Sequence, residues 1–240
     1  MSYHAPLDAA GAAALDTKIA AAAALLARIA AEFSPATLAN SLGAEDMVLT
    51  DLVAKHARGI EIFMLDTGRL HAETYAVLEK TTDHYDLRIR VLSPDGQALE
   101  RFVTENGINA FYKSVDLRKA CCGLRKVEPL GRALAGKKAW ITGLRRAQAV
   151  TRADLPVEEF DAAHGIGKFN PLADWSEKEV WAYLKRFEVP YNALHDRGFP
   201  SIGCAPCTRA LSPGEDVRAG RWWWEDPELK ECGLHPAKRA

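Results

Sequence analysis

Five cysteines in three places constrain the fold of this chain more than any other feature of its sequence. Cys121 and Cys122 are adjacent. Far along the chain, Cys204 and Cys207 form a Cys-Ala-Pro-Cys pair. Four thiols in two pairs supply the ligand number of a structural metal site. The pattern therefore predicts a fold that joins both pairs at one metal site and leaves Cys232, near the C-terminus, free to react.

The adjacent pair indicates which metal group is bound. Neighbouring side chains diverge, so that closing both Cys121 and Cys122 on one tetrahedral zinc ion is awkward. A cluster of several irons offers separate attachment points, and a [4Fe–4S] cluster takes four thiolates. The sequence therefore favours a [4Fe–4S] cluster. A zinc site, buried structural cysteines and a disulfide between the adjacent pair remain alternatives.

The composition is that of a globular α/β protein with no global affinity for polyanions. The chain has 240 residues, a formal net charge of −1, 48% hydrophobic and 26% charged residues. These values predict one large or two small domains, with no nucleic-acid partner. No apolar run is expected to span a membrane, because the alanine-rich stretch 9–31 carries charges and lacks the basic start of a signal peptide. A cytoplasmic location follows, where clustered cysteines favour metal or catalysis over disulfides.

Strand-like and helical segments alternate along the chain. After an N-terminal helix, this alternation predicts a mostly parallel sheet with helices on both faces. The predicted strands cover 36–42, 60–65, 87–92 and 138–142, and the predicted helices 46–56, 70–80 and 176–187.

Two predicted strands run into turns that suit an anion. The first turn is Ser41-Leu42-Gly43-Ala44-Glu45-Asp46, and the second is Asp66-Thr67-Gly68-Arg69. Both precede a predicted helix, whose free N–H groups attract phosphate or sulfate. The simpler alternative is a tight turn with acidic residues near the helix dipole. Neither turn is a Walker loop, because no Gly-Lys-Ser/Thr follows.

Four basic residues surround the first cysteine pair, namely Arg118, Lys119, Arg125 and Lys126. Positive charge here offsets the negative charge of metal-bound thiolates, or it holds an anionic substrate. The alternative is a solvated basic helix face, an interpretation that applies most to Arg118 and Lys119.

Motifs across nearly the whole chain after the first helix resemble one family. The sequence is similar to the cluster-bearing assimilatory adenylyl-sulfate (APS) reductases, a branch of the phosphoadenylyl-sulfate (PAPS) reductase family. The two cysteine pairs and the terminal Glu-Cys-Gly-Leu motif are together highly specific. The resemblance is carried by residues 65–71, 112–122, 125–130, 142–146, 168–172, 203–208, 220–224 and 230–235.

The resemblance implies a fold and a domain organisation. The implied fold is of the adenine-nucleotide α-hydrolase type, in which the 41–46 loop departs from the Ser-Gly-Gly-x-Asp-Ser pattern of ATP pyrophosphatases and so speaks against ATP cleavage. Members specific for PAPS typically lack the two cysteine pairs, which makes APS the expected substrate. The implied parts are an N-terminal helix over 1–34, a nucleotide-binding α/β domain with the iron–sulfur site over 35–212, and a C-terminal tail or lid over 213–240.

The resemblance also implies a reaction, the reduction of APS to sulfite in sulfate assimilation and cysteine biosynthesis. Cys232 is the implied nucleophile, which attacks the sulfur of APS, displaces AMP and retains a thiosulfonate. With four cysteines on the cluster, an outside dithiol must release sulfite. Thioredoxin is the expected dithiol, with glutaredoxin as the other candidate. The cluster is expected to be structural and electrostatic.

The candidate substrate-binding residues are basic or lie in the first turn. The tail arginines are expected to close over the substrate as a lid does, and the three consecutive tryptophans to anchor the tail. The candidates are Ser41, Gly43, Arg125, Lys126, Arg145, Arg218, Arg221 and His235.

Three other functions compete with APS reduction. A PAPS reductase, or an enzyme of dual specificity, differs only in its nucleotide. A tRNA thiolation enzyme needs an intact pyrophosphatase loop and usually a basic surface, and this chain has neither. A non-enzymatic zinc or redox-sensing module predicts a colourless protein that tolerates loss of Cys232. Self-association into a homo-oligomer stays open.

Overall fold

A computed structural model describes residues 7–148, 152–212 and 214–226. The chain divides into two compact units that interleave along the sequence. Unit 1 takes its residues from Met1–Met64, Glu73–Arg90 and Gly136–Asn192, and unit 2 from Leu65–Ala72, Val91–Ala135 and Ala193–Ala240. The division into 1–34, 35–212 and 213–240 stays a prediction.

A six-stranded, mostly parallel sheet lies mainly in unit 1. Its strands are β1 (Ala36–Ala39), β2 (Glu61–Leu65), β3 (Ile89–Leu92), β4 (Ala139–Ile141), β5 (Glu158–Asp161) and β6 (Ile166–Phe169). They lie in the order β3-β2-β1-β4-β6-β5. β1 pairs parallel to β2 and β4, β4 pairs parallel to β6, and β5 is antiparallel to β6. The predicted mostly parallel sheet is therefore confirmed.

The four predicted strands are all present, each somewhat shorter than predicted. β1, β2 and β4 are recognisable because most of their residues are apolar and buried, as in β4, where all three residues are buried. Such runs are typical of parallel strands covered on both faces. The edge pair β5 and β6 was not predicted, since β5 is a polar strand of sequence Glu-Glu-Phe-Asp.

The helices of unit 1 are α1 (Ala9–Glu32), α2 (Ala44–His56), α3 (Ala72–Tyr85) and α7 (Glu177–Arg186). All four confirm predicted helices, with bounds that differ by a few residues. α7 begins at a capping box, in which the Ser176 hydroxyl accepts the Glu179 N–H at 3.3 Å and the Glu179 carboxylate accepts the Ser176 N–H. α2 is buried along most of its length and forms the centre of the unit.

The expectation that no segment could cross a membrane needs correction for α1. By length and composition α1 is apolar enough to do so, although core helices of globular proteins and signal sequences meet the same criterion. Its polar contacts are with the protein, because Lys18 pairs with Glu179 at 2.8 Å and Asp16 with Arg186 at 2.5 Å. Its buried residues are Leu15, Ala22, Leu26 and Ile29.

A buried carboxylate joins three helices of unit 1. Asp51 of α2 is 2% exposed and accepts hydrogen bonds from the hydroxyl of Tyr85 on α3, at 3.0 Å, and from that of Tyr183 on α7. Lys55 donates to the same carboxylate at 2.7 Å. Burial raises the pKa of both tyrosines well above the usual value. Both hydroxyls therefore stay protonated and act as donors.

Replacing Asp51 with alanine should lower the free energy of unfolding by about 3–5 kcal/mol, because two buried hydroxyls and an ammonium lose their acceptor. Chemical denaturation of both proteins measures the difference. Asp83→Ala, at an exposed position of α3, is the matched control and should change stability by at most about 0.5 kcal/mol. Equal losses in the two variants would contradict the role given to Asp51.

Unit 2 is helical and carries the cysteine pairs. Its helices are α4 (Gly96–Asn106), α5 (Val115–Cys122) and α6 (Glu128–Leu134), and a π-helical turn, Gly123–Val127, joins the last two. Further along, Ala205–Cys207 forms a single 3-10 turn. A cluster of buried residues forms its core, against which Phe102 and Trp224 pack; its members are Phe111, Cys121, Cys122, Cys204, Cys207 and Trp222.

Candidate functional site

The structure brings the two cysteine pairs into one buried cluster in unit 2. Cys121 and Cys122 end α5, and Cys204 and Cys207 bracket the 3-10 turn. All four are free thiols, between 8% and 9% exposed. A disulfide between the adjacent pair is therefore absent among the described cysteines.

Local sequence signals set the position of each pair. The Ser114 hydroxyl caps α5 by accepting the Leu117 N–H at 3.1 Å. The π-helical turn after Cys122 widens the helix, and such turns frequently mark functional sites. In the second pair, the Cys207 N–H donates to the Cys204 carbonyl at 2.9 Å, and the Ala205 N–H donates to the Arg69 carbonyl at 2.8 Å.

Polar and basic residues of the same unit change the pKa values of the thiols. The Thr67 hydroxyl lies 3.2 Å from the Cys204 sulfur. Burial raises the pKa of Cys204, but the charge of Lys126, the Thr67 hydrogen bond and the nearby Arg221 and Arg125 together bring it below its usual value. Negative charge at this sulfur is therefore favoured.

The other two affected thiols behave differently. Burial raises the pKa of Cys121, although the charge and hydrogen bond of Arg125 oppose it. Burial, followed by the negative charges of Cys204 and Cys122, raises the pKa of Cys207 to about 12. Four mutually close thiols resist ionising together unless something positive lies between them.

Buried donors without acceptors test whether an iron–sulfur cluster suits this site. The Nε atom of Arg125, the Nε atom of Arg221 and the indole Nε1 of Trp222 are buried and have no hydrogen-bond partner among the described residues. Buried N–H groups are rarely unpaired, because an unpaired donor costs about 1–3 kcal/mol. Sulfide and thiolate sulfurs of a cluster are acceptors of the kind that these donors lack. The four cysteine thiols as ligands, together with the three unpaired N–H groups, therefore fit a [4Fe–4S] cluster.

A single metal ion would need a tighter arrangement of ligands. Thiolates around one tetrahedral zinc lie about 3.8 Å from each other, given a zinc–sulfur bond of about 2.3 Å. Within the described part of the chain, no group of three or more His, Cys, Asp or Glu side chains is placed to hold a metal ion. A cluster has several irons and so offers the thiolates separate attachment points.

The tryptophans anchor the chain around the cysteines only in part. Trp222 is 2% exposed and its backbone N–H donates to the Cys207 carbonyl at 3.2 Å. Trp224 packs edge-on against Tyr112, with ring centroids 4.4 Å apart. Trp223 is 40% exposed. The predicted anchoring is confirmed for Trp222 and Trp224, and it is wrong for Trp223.

The candidate arginines of unit 2 differ in their surroundings. Arg221 lies over the Trp222 ring at 4.7 Å, and its guanidinium fills the space beside Gly203. A Cβ atom at Gly203 would lie 2.5 Å from Nη2 of Arg221, so a side chain there would displace the guanidinium. Arg218 is half-buried, and its backbone N–H donates to the Asp216 carboxylate at 2.8 Å.

The 41–46 loop of unit 1 is held by Asp46, which sequence reasoning treated only as an acidic residue near a helix dipole. The Asp46 carboxylate accepts the Ser41 N–H at 2.7 Å and the Ser41 hydroxyl at 2.5 Å. Burial raises the pKa of Asp46 to about 6 against these hydrogen bonds, which lower it. Gly43 caps α2 without a side chain, and its backbone N–H donates to the Ser41 hydroxyl at 3.4 Å.

Arg145 is engaged within unit 1. Its Nε and Nη2 atoms donate to Oε1 of Glu45 at 2.9 and 2.7 Å, and its Nη1 atom donates to the Trp175 carbonyl at 3.2 Å. It is 6% exposed. An anion that binds Arg145 must therefore compete with Glu45.

Two predicted site residues, Cys232 and His235, lie outside the described residues. Two further residues at the cysteines went unrecognised as site residues in the sequence. Thr67 belongs to a turn that the sequence singled out for an anion, and its hydroxyl could have suggested a thiolate partner. Arg118, for which a solvated helix face was the alternative interpretation, is fully buried, so that alternative is wrong for this residue.

Comparisons with known proteins place this arrangement among reductases. Residues 35–210 match the phosphoadenosine phosphosulfate reductase domain. An adenosine 5'-phosphosulfate reductase of Allochromatium vinosum is 57% identical over 92% of this chain and 86% of its own length. One of the same name from Burkholderia cepacia is also 57% identical over 92% of this chain and 88% of its own length.

Solved structures agree on the fold. A phosphoadenylyl-sulfate reductase from Candida auris, in a phosphate complex, has a TM-score of 0.69 at 28% identity and covers 85% of this chain and 99% of its own. Yeast FAD synthetase, at 16% identity and a TM-score of 0.57 over 87% of this chain and 71% of its own, shares the fold alone.

The fold and the cysteine site together define a mostly parallel α/β protein with a buried four-thiol centre. Within that class, the family match spans most of the chain, and the Allochromatium vinosum and Burkholderia cepacia relatives are more than half identical to it. The chain belongs to the phosphoadenosine phosphosulfate reductase family, and the resemblance seen in its sequence is confirmed.

Proposed function

We propose that this protein is an oxidoreductase that reduces APS to sulfite and AMP in sulfate assimilation and cysteine biosynthesis. One observation carries the proposal. The chain shares 57% identity over 92% of its length with relatives named adenosine 5'-phosphosulfate reductase. The buried group of four cysteines agrees with the cluster-bearing branch of the family.

The first chemical step is assigned to Cys232. Its thiolate attacks the sulfur of the sulfate group of APS and forms a sulfur–sulfur bond. The bond between that sulfur and the bridging oxygen breaks, and its electron pair leaves with AMP. The enzyme then carries an S-sulfo group on Cys232.

The second step needs a dithiol from outside the chain. One thiolate of the dithiol attacks the Cys232 sulfur, the sulfur–sulfur bond breaks, and its electron pair leaves with sulfite. The second thiol displaces Cys232 from the mixed disulfide. The dithiol loses two electrons, which account for the reduction of sulfate to sulfite. Thioredoxin is the proposed dithiol, with glutaredoxin as the other candidate.

Substrate binding is assigned to the basic and loop residues of each unit. In unit 1, free N–H groups at the start of α2, next to Ser41 and Gly43, suit an anionic oxygen, and Arg145 is the nearby charged candidate. In unit 2 the half-buried Lys126 and the arginines at the cysteines supply positive charge. The proposed unit 2 set is Arg125, Lys126, Arg218, Arg221 and His235.

The proposed cofactor is a [4Fe–4S] cluster held by Cys121, Cys122, Cys204 and Cys207. When bound, it would supply structural fixation and charge rather than electrons, because the reaction is a two-electron thiol exchange. Arg125, Arg221 and Trp222 each have a buried N–H group that suits hydrogen bonding to the sulfurs of such a cluster. A compartment that keeps thiols reduced suits four cysteines assigned to a cluster, and we propose the cytoplasm.

A second candidate function is PAPS reduction, which the likeness to the Candida auris structure favours. Steady-state assays with APS and PAPS, each with excess thioredoxin and its reductase, separate the two. We expect kcat/KM to favour APS by about tenfold or more, because an additional phosphate needs its own charged partners. A larger kcat/KM for PAPS would overturn the assignment. If neither nucleotide yields sulfite, the non-enzymatic zinc or redox-sensing module becomes the favoured function.

A further inference from the structure

A buried ion pair next to the cysteines has no place in the reaction just described. Arg118 is fully buried, and the Glu225 side chain is 4% exposed. Nε of Arg118 donates to Oε1 of Glu225 at 2.9 Å, and Nη2 donates to Oε2 at 2.7 Å. The pair is bidentate, which is the strongest geometry available to an arginine and a carboxylate.

The same guanidinium also contacts the cysteine site. Arg118 and Cys122 stand four residues apart on α5, so their side chains lie on one face of the helix, and Arg118 hydrogen-bonds the Cys122 sulfur. The guanidinium lies over the Trp222 ring, 4.8 Å from its centroid. Arg118 therefore links a proposed cluster ligand to residues 220–225, here called the docking segment.

A second ion pair in unit 2 has the same chemistry without the burial. Nη1 and Nη2 of Arg209 donate to the two carboxylate oxygens of Glu215 at 2.8 and 2.6 Å. Their side chains are 35% and 30% exposed. Exposed pairs of this kind contribute little, whereas removal of one partner of a buried pair leaves an uncompensated charge. The two pairs differ mainly in burial and in contact with the cysteines.

We propose that the Arg118–Glu225 pair is an interlock that couples retention of the metal group at the cysteines to attachment of the docking segment. The inference rests on the proposed [4Fe–4S] site. Glu225 is a positioning residue that acts through Arg118. It holds the guanidinium where it can donate to Cys122, and the guanidinium holds Glu225 and Trp222 against the cysteines.

Coupling of this kind works in both directions. Thiolates bonded to the metal group give Arg118 a negative partner at Cys122, which favours the position in which it also binds Glu225. Loss of the metal group should therefore loosen the docking segment, and loss of Glu225 should loosen the metal group.

The test compares Glu225→Gln with the matched control Glu215→Gln, in the full chain purified without oxygen. Release of iron to a chelator is followed by visible absorbance, and tryptic cleavage after Arg221 is followed by mass spectrometry. We expect Glu225→Gln to speed both processes by about tenfold, and Glu215→Gln to match the wild-type protein. Removal of iron from the wild-type protein should likewise speed cleavage after Arg221.

A double variant separates an interlock from a general loss of stability. If Glu225 acts through Arg118, adding Glu225→Gln to Arg118→Met should change iron release by less than about twofold. Independent, additive effects would overturn the proposal, as would wild-type rates in Glu225→Gln. Resonance Raman bands of the iron–thiolate bonds should shift in Glu225→Gln but not in Glu215→Gln.

The experiment also distinguishes failure of this inference from failure of the proposed cofactor assignment. If the wild-type protein contains no iron, the cofactor assignment fails. Cleavage after Arg221 then still compares the two variants, and equal rates would overturn attachment of the docking segment by Glu225.

Discussion

Replacing Cys232 with serine should lower turnover of APS by at least about 10³-fold, because a hydroxyl at this position is a far weaker nucleophile than a thiolate. Cys232 is the one cysteine outside the two pairs, so no other uncommitted thiol of the chain can replace it. Sulfite production with excess thioredoxin measures the loss. The iron content of the variant should equal that of the wild-type protein, since Cys232 is not a proposed ligand.

A single-turnover experiment identifies the covalent step directly. Wild-type protein mixed with APS in the absence of any thiol should release one equivalent of AMP and gain the mass of one SO₃ group. Peptide mapping should place that mass on the Cys232 peptide, and the serine variant should show neither AMP release nor the mass gain. A serine variant that turns over at the wild-type rate would refute the assignment of Cys232.

The sequence is sufficient to predict the fold where burial and composition agree. Parallel strands such as β1 and β4 are recognisable because they are apolar on both faces. β5 is a polar edge strand. It forms because it pairs with β6, not because its own residues alternate between apolar and polar. Local periodicity carries no information of that kind.

The site shows the same division between local and tertiary information. Spacing alone predicts that the cysteine pairs meet, and the structure places all four in one cluster. The burial of Arg118 was not predictable from α5 itself, because its partner Glu225 comes from a distant part of the chain. Asp46 was missed for a related reason, since its carboxylate turns back to Ser41 rather than toward solvent.

For Arg145, the residue type indicated an anionic partner, but the sequence did not indicate which groups surround the side chain. An arginine shortly after a strand suggests an anion partner. In the structure its guanidinium already binds Glu45 and the Trp175 carbonyl. An acidic residue in the neighbouring loop, Glu45, was visible in the sequence, but nothing local indicated that the two side chains would meet.

Replacing Cys207 with alanine should remove most of the iron from the protein and lower APS turnover about as strongly as the loss of Cys232. A [4Fe–4S] cluster with three protein thiolates is open to solvent and to further loss of iron, and metal binding is coupled to folding around the site. Iron and sulfide analysis after anaerobic purification should show a decrease of about tenfold. The brown colour expected of the wild-type protein should fade in parallel.

Phe111→Leu is the matched control for the packing defect that Cys207→Ala also creates. Phe111 is 2% exposed and belongs to the same buried cluster, but it offers no ligand. The control should lose stability while it keeps its iron, because truncation of a buried aromatic ring leaves a cavity without removing a thiolate. Cys207 is a ligand only if Cys207→Ala loses its iron while Phe111→Leu keeps it. Full iron content in Cys207→Ala, or zinc in place of iron in the wild-type protein, would refute the [4Fe–4S] assignment.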